Sequence, residues 1–347
     1  MFVTPFFERS VNDEIRRAAP FKVVKKSVNY MIIESKGKNL AQKLCKDKGV
    51  FVYSIFPILA RRKVDKRRYV DSIYKALMDV KPKKWADIKI EILDVNSKQG
   101  FSAKDLEVKF GERMEGDGLS INILRPQTLL YSVIWDMECF VGIGDMKQLE
   151  KGFLDPFRHY ARANAGIGRA ELKIREAFDD FGLHGRGIAL DLGAAPGGWS
   201  VFLAQNGYKV IAVDNGDLAY GKIKRLELRC RIMDGKKGDA ESGLKRCDIL
   251  HIRSGFDGAL RSIDLKKVDL LVNDMNIRHN LSAEAMLKFS KKMRKGVPAL
   301  MTVKCVRRSV DRYLAQTKKI LSKDFEVVGV RVLPHNRQEA TMLLLRK

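Results

Sequence analysis

Four charged residues, far apart in a 347-residue chain, form the kind of set that a proton transfer needs: Lys173, Asp274, Lys304 and Glu339. Asp274 follows the apolar run 268–273 and Lys304 follows 299–303, so each is expected at the end of a strand. Lys173 lies at the edge of a helical stripe, Ile174, Ala177, Phe178 and Phe181, spaced i, i+3, i+4, i+7. Glu339 opens the last apolar strand, 340–346. In an open α/β sheet the strand ends converge on one cleft. A lysine beside carboxylates there can take a proton when neutral, or stabilise a developing alkoxide. The remaining charges orient the hydroxyl. Any one of the four alone reads as a structural ion pair; all four at this spacing read as a hydroxyl-activating set.

Residues 187–216 are expected to bring the second reactant. They read as a buried strand 187–192, the turn Gly193-Ala194-Ala195-Pro196-Gly197-Gly198, a helix 199–206 stopped by Gly207, and a strand 209–213 ending on Asp214. Small residues let the backbone approach a ligand, and Pro196 suits the first helical turn. Asp214 is placed to accept hydrogen bonds from two ribose hydroxyls. A dinucleotide requires G-x-G-x-x-G, which this turn lacks. The variant suits S-adenosylmethionine, whose amino-acid end is charged but carries no phosphate. Asp191 is expected on its ammonium, directly or through water, and the N–H groups near Gly193 and Gly197 on its carboxylate. Ala194, Pro196, Gly198 and Trp199 line the same turn, with Trp199 read chiefly as helix–sheet packing. A glycine turn with no ligand is disfavoured, because Asp191 and Asp214 both stand at carboxyl ends of strands.

Composition frames this chemistry. The chain has 66 Lys and Arg against 42 Asp and Glu, net charge +24, which favours nucleic acid or an anionic surface. The 45% apolar fraction supports sizeable cores in two or three domains. Five scattered cysteines with no C-x-x-C pair suggest neither zinc nor a disulfide framework and fit a reducing cytoplasm. Histidines 159, 184, 251, 279 and 335 show no ligand spacing, so no metal is expected. The opening MFVTPFFERS lacks the pattern of a secretory leader, and no apolar run nears the roughly 18 residues of a membrane span.

In order along the chain, 1–80 mixes strands at 21–24, 30–33 and 51–55 with helical stretches. Its run 61–69 is the densest basic cluster; Arg61, Arg62, Arg67 and Arg68 read evenly as phosphate contacts or as a solvated helix face. Strands are expected at 88–93, 118–124, 129–135 and 139–143, a small α+β domain over 81–147. A linker, 148–168, interleaves Arg158 and Arg162 with aromatic groups, which suits single-stranded RNA or ordinary interdomain packing. The third part, 169–347, is expected to be a Rossmann-like α/β sheet. Within it 230–247 reads as a loose region and Ser282 as the cap of a helix running to Lys295. A helix carries the stripe Val310 to Leu321, and a hairpin closes the chain.

With these motifs in place, residues 169–347 resemble the FtsJ family of RNA 2′-O-ribose methyltransferases. The motifs matched are Arg169-Ala170-x-x-Lys173, Asp191-x-Gly-Ala-x-Pro-Gly-Gly-Trp199, Asp274-Met275, Val303-Lys304 and Glu339 before a closing strand. The resemblance implies that the family's catalytic tetrad falls on Lys173, Asp274, Lys304 and Glu339. Val213-Asp214-Asn215-Gly216 and His335-x-Arg337-x-Glu339 are similar to the RlmM-type branch, which joins a THUMP-containing part to this domain and methylates a ribose of large-subunit ribosomal RNA. The stretch 120–146 looks like the end of a THUMP domain. The resemblance implies S-adenosylmethionine as cofactor, with Asp274 also lining its site, and RNA as partner; Arg169, Arg307 and Arg308 join the RNA-facing candidates. Asn276-Ile277-Arg278 departs from the family's alanine-proline-asparagine run, and the longer 218–247 leaves the adenine-side acid between Asp257, favoured by its spacing to Asp274, and Asp234. Transfer RNA is the second target. A non-catalytic RNA-binding factor and a nicotinamide-dependent dehydrogenase are the readings from other classes.

Overall fold

The computed structural model describes residues 8–26, 31–36, 40, 43–44, 57–80, 86–96, 99–145, 167–234, 240–305, 310–333, 335–336 and 339–347. Two compact units divide the chain: residues 11–158 with 1–5, and residues 159–347 with 6–10. The first described element is helix α1 (Glu8–Ala18). No described helix is long and apolar enough to cross a membrane.

The first unit is built on β3 (Ala60–Lys63), β4 (Ile88–Asp94), β5 (Thr128–Trp135) and β6 (Glu138–Asp145), in the order β3-β6-β5-β4. β5 pairs parallel with β4 and antiparallel with β6. Every residue of β5 is buried, because both faces of the sheet are covered. Helices α2 (Tyr69–Met78) and α3 (Ala103–Gly116) pack Ile73, Leu77, Leu106 and Phe110 on one face. The antiparallel pair β1 (Phe21–Lys26) and β2 (Met31–Ser35) puts Val24 and Ile32 against Leu129, Tyr131 and Trp135 on the other. α3 starts where it does because Ser102 and Asp105 form a capping box, each side chain bonding the other's amide.

The basic cluster is not a helix face. Arg61 and Arg62 lie on β3, where Arg61 bonds Glu138 (2.7 Å) and Arg62 bonds Asp79 (2.9 Å). Arg67 and Arg68 stand exposed in the turn before α2. The strand expected over 118–124 is a loop, joined to β4 by a single bridge, Ile88 to Ile121. Asn122 Oδ1 accepts from the amides of Leu124 (3.2 Å) and Arg125 (2.8 Å), which turns the chain out of strand geometry. The expected strand 51–55 and most of the linker 148–168, with Arg158 and Arg162, lie outside the described residues.

The second unit is an eight-stranded sheet in the order β13-β14-β12-β11-β7-β8-β10-β9. Its strands are β7 (Gly187–Leu192), β8 (Tyr208–Asp214), β9 (Cys230–Asp234), β10 (Ile249–Arg253), β11 (Val268–Asn273), β12 (Pro298–Lys304), β13 (Phe325–Arg331) and β14 (Glu339–Arg346). β14 runs antiparallel to both β12 and β13, and β7 to β12 are parallel. Chain order reverses at β7, so the cleft opens where β8 and β11 leave β7 on opposite sides. Helix α4 (Arg169–Phe181) and helix α5 (Gly198–Gln205) pack together, with Phe178 edge-on to Phe202 at 5.0 Å. The further helices are α6 (Tyr220–Arg225), α7 (Ala240–Leu244), α8 (Phe256–Ser262), α9 (His279–Ser290) and α10 (Val310–Leu321).

Two expectations fail here for tertiary reasons. The loose region 230–247 contains β9 and α7. β9 is an edge strand with a charged, half-exposed pattern, so it carries no apolar run to betray it. Ser282 is not a cap: α9 begins at His279, and Ser282 is buried in it with its hydroxyl accepting from Asn273 Nδ2 at 2.9 Å.

Candidate functional site

The ligand turn is held by its neighbours before any ligand arrives. Gly193, at φ +77, packs so closely on the loop after β11 that a Cβ there would meet Met275 Cγ at 2.6 Å and Cα at 2.9 Å. Asp214, at the end of β8, accepts from the amide of Ala195 (3.0 Å) with Oδ2 and from that of Gly216 (2.8 Å) with Oδ1. Both carboxylate oxygens are thereby aimed, with lone pairs to spare for a diol. Behind them His251 bonds the Asp214 carbonyl through Nε2 (3.2 Å) and the Tyr220 hydroxyl through Nδ1 (2.6 Å). Nε2 therefore carries the proton and Nδ1 accepts.

Asp191 is fully buried on β7. Ser200, in the first turns of α5, donates to its Oδ2 at 2.7 Å, while Oδ1 has no partner. Burial, with the charges of Asp274 and Asp214 nearby, pushes this carboxyl up to about 7, against the opposing bond from Ser200. An orphaned buried carboxylate oxygen next to a glycine turn is the feature that an ammonium ion would satisfy.

The expected carboxylate cradle differs from the sequence reading. The amides of Gly193 and Ala194 donate to Val213 O (3.0 and 3.3 Å), and that of Gly197 donates to Ala194 O (2.6 Å). They are spent on the turn itself, so the first turn of α5, at Gly198 and Trp199, is the place where amide donors remain for an anion. Pro196 follows a cis peptide and precedes α5 instead of starting it. Trp199 is buried in the core cluster with Ile167 and Leu333, its Nε1 unbonded. Of the adenine-side candidates, Asp257 lies exposed in the first turn of α8, paired with Lys288 at 3.0 Å, and Asp234 ends β9, bonded to Arg253 at 2.9 Å. Both carboxylates are thus taken up by cations, and a Cβ added at Gly255, two residues before Asp257, would stand 4.0 Å from Asn215 Oδ1, next to Asp214.

The four charged residues converge. Lys173 Nζ donates to Asp274 Oδ2 (2.8 Å) and Oδ1 (3.0 Å) and to Glu339 Oε1 (2.9 Å). Lys304 Nζ donates to Asp274 Oδ1 (2.7 Å) and to Glu339 Oε2. The result is a closed ring, lysine–aspartate–lysine–glutamate, drawn from α4, β11, β12 and β14. β12 and β14 place Lys304 and Glu339 directly opposite in register. Lys304 is the most open member, with 21% of its side chain exposed against 9% for Lys173, 12% for Asp274 and 10% for Glu339. Burial alone would raise Asp274, yet the charges of Lys173 and Lys304 win and hold it below the usual carboxylate value. Burial likewise lowers Lys304, but Asp274 and Glu339 outweigh it and the amine is raised.

Three supports of the site had no signal in the sequence. Ser200 on α5 holds Asp191 on β7 across the glycine turn between them. Thr302 Oγ1 donates to Asp274 Oδ1 at 2.6 Å. Glu176, one turn after Lys173 on α4, accepts from the His335 amide (3.0 Å) and pairs with its ring, tying α4 to the loop that leads to Glu339. Arg307 and Arg308 lie outside the described residues, as does the side chain of Arg169.

Residues 167–340 match the FtsJ-like methyltransferase family. The chain belongs to that family. As an FtsJ-like methyltransferase it uses S-adenosylmethionine, and the orphaned oxygen of Asp191 and the aimed carboxylate of Asp214 fit that donor. Among curated relatives, ribosomal RNA large subunit methyltransferase M of Pseudomonas fluorescens is 30% identical over 141 residues, 38% of this chain and 39% of that protein. An uncharacterized protein of Methanocaldococcus jannaschii is 25% identical over 187 residues, 51% of this chain and 46% of that one. The chain thus spans less than half the length of these relatives. Among solved structures, TrmN from Thermus thermophilus aligns with 99% of this chain and 98% of its own at 13% identity and TM-score 0.41.

The closeness of Gly193 to Met275 makes one outcome firm. Gly193→Ala adds a Cβ into backbone and side chain at a left-handed φ, so the turn must shift by more than strain alone would cost. Calorimetry should show S-adenosylmethionine affinity falling about five- to 150-fold, from roughly 1–3 kcal/mol of strain. Unchanged affinity would mean the turn does not shape the donor site.

Proposed function

We propose that this protein transfers a methyl group from S-adenosylmethionine to the 2′-hydroxyl of a ribose in RNA, with large-subunit ribosomal RNA as the favoured target. The closed ring of two lysines and two carboxylates carries this reading, because a ribose hydroxyl is a weak acid and needs a proton acceptor in a fixed place. The cofactor, when bound, supplies an electrophilic methyl on a sulfonium sulfur. Asp214 would accept from the ribose hydroxyls of the donor, Asp191 from its ammonium, and the first turn of α5 would face its carboxylate. Lys304, the member open to solvent, would meet the target hydroxyl and govern its proton. Asp274 sets the proton affinity of Lys304, and Lys173 and Glu339 hold the carboxylate and amine in line. The likeness to ribosomal RNA large subunit methyltransferase M supports an RNA target, and net charge +24 supports a polyanion. In this reading the first unit, residues 81–147 in particular, is a THUMP-like module that grips the RNA, and 169–347 is the catalytic domain.

The test is transfer from methyl-tritiated S-adenosylmethionine to separated ribosomal and transfer RNA from cells lacking the protein. Label in large-subunit ribosomal RNA is expected. Label in transfer RNA alone would move the target, and no label in either would overturn the reading.

Asp191 adds a pH signature. Below about pH 3.8 the carboxyl is protonated folded or unfolded; above it, ionising the buried group costs the folded state, and that cost is complete at about pH 7. An ammonium placed on Oδ1 favours the ionised form, so donor binding should release a fraction of a proton near pH 6.5 and tighten as pH rises from 6 to 8. Calorimetry in buffers of different ionisation enthalpy measures both, and Asp191→Asn should erase the dependence. Equal affinity across that range would remove Asp191 from the ammonium.

A further inference from the structure

Oδ1 of Asp274 accepts three hydrogen bonds: from Lys173 Nζ (3.0 Å), Lys304 Nζ (2.7 Å) and Thr302 Oγ1 (2.6 Å). Thr302 stands two residues before Lys304 on β12, so both side chains leave the same face of the strand and reach one acceptor. It is a polar residue, 1% exposed, among the buried apolar residues Ala299, Leu300, Met301 and Val303 of its strand. Across the pair with β14 its register partner is Thr341, whose Oγ1 accepts from Asn336 Nδ2 at 3.0 Å. The strand therefore buries a hydroxyl at this position, where a valine would fill the same volume with no polar atom to satisfy.

A carboxylate accepts only, so the Thr302 hydroxyl must donate. Its bond has two consequences. It fixes rotation about the last bond of the Asp274 side chain, which aims Oδ1 at Lys304. It also draws charge from the oxygen that holds the Lys304 proton, which weakens that hold. Resting on the functional reading above, we propose that Thr302 is a positioning residue for hydroxyl deprotonation, orienting Asp274 and loosening its grip on the Lys304 proton. The charged groups that face Asp274 are Lys173 from α4, Asp191 from β7, Lys304 from β12, and Glu339 from β14 across the two lysines. Lys304 is raised by Asp274 and Glu339 despite its burial, so little of it is neutral near pH 8. Any relief of the Asp274 hold multiplies that small fraction.

Thr302→Val keeps the shape and deletes the donor; Thr302→Ser keeps the donor. The direct readout is trace acetylation of Lys304 by acetic anhydride at pH 9 in the full chain. Peptide mass spectrometry reads it, with the exposed Lys295 as internal reference. Reaction follows the neutral amine, so Lys304 should react about three- to tenfold more slowly in Thr302→Val, the size of one ordinary net hydrogen bond. Thr302→Ser should react like the natural protein. With ribosomal RNA and S-adenosylmethionine, kcat should fall about tenfold in Thr302→Val with KM for the donor unchanged, and the rising limb of the pH–rate profile should move to higher pH. Thr302→Ser should restore both. Should Thr302→Val not fold, Thr302→Cys, a weak donor, carries the same comparison. Equal acetylation of Lys304 in the donor and donor-free variants overturns the proposal. That readout needs no RNA, so it stands or falls apart from the methylation reading.

Discussion

Lys304→Ala should abolish methyl transfer while leaving S-adenosylmethionine affinity within about threefold. The loss expected is on the order of 10²–10⁴ in kcat, the worth of a positioned general acid or base. Lys304 ends β12, bonds Asp274 and Glu339, and is the ring member with the most open side chain. The proposed donor site, by contrast, is built from β7, β8 and α5, and the hydrogen bonds that fix Asp191 and Asp214 come from Ser200, Ala195 and Gly216, not from Lys304. Alanine also leaves two carboxylates facing Lys173 alone, so stability must be followed by thermal melting. Lys304→Arg separates the two effects: it keeps the positive charge and the ring but does not release a proton. It should melt near the natural protein, bind the donor, and show the same loss of turnover. Turnover within tenfold of the natural protein in Lys304→Arg would move the proton to another group.

Asp274→Asn should be the most damaging single-atom change in the second unit. Asp274 is the acceptor shared by Lys173, Lys304 and Thr302, and its backbone amide also bonds Leu192 O at 3.3 Å, beside the donor turn. With asparagine, two enclosed ammonium groups answer to Glu339 alone, and an amide N–H₂ is turned toward one of them. Removing one partner of a buried ion pair costs about 3–5 kcal/mol. For a unit of this size that corresponds to a drop of roughly 10 °C in Tm. The pH behaviour follows from the same bonds. Asp274 is held below its ordinary value, so its contribution is present above about pH 3.8 and lost as pH falls through the folded value. Lys304 is raised, so its share is present below about pH 10.5 and lost as pH rises through its own. Scanning calorimetry of Asp274→Asn at pH 7 should show the shift, and turnover should vanish with it. An unchanged melting point would mean that the ring is not closed in solution.

The parts legible in the sequence are those fixed by burial on both sides. β7, β8, β11 and β12 are parallel strands in the middle of a sheet, so each is largely apolar with a charged residue at or beside its carboxyl end, and the run points to both strand and site residue. Lys173 was readable only because α4 carries a stripe against which its position could be measured. What escaped depends on partners distant in the chain. Thr302 meets Asp274 across 28 residues and Glu176 meets His335 across 159, and no local spacing announces either. The 118–124 stretch carries strand-like apolar residues, yet Ile123 and Leu124 stand 64% and 93% exposed in a turn where Asn122 Oδ1 accepts from the amides of Leu124 and Arg125. Ser282 has a capping residue's chemistry, but Asn273 takes its hydroxyl. Propensity proposed these elements; a local side-chain turn at Asn122 and the bond from β11 to Ser282 decided against them.

The most direct test asks which atom of the RNA receives the methyl group. RNA labelled by this protein with methyl-tritiated S-adenosylmethionine can be hydrolysed in alkali, which cleaves next to a free 2′-hydroxyl and spares a methylated one. The ring of Lys173, Asp274, Lys304 and Glu339 predicts that the label is recovered in alkali-resistant dinucleotides. Label recovered in mononucleotides would place the methyl on a base and contradict it.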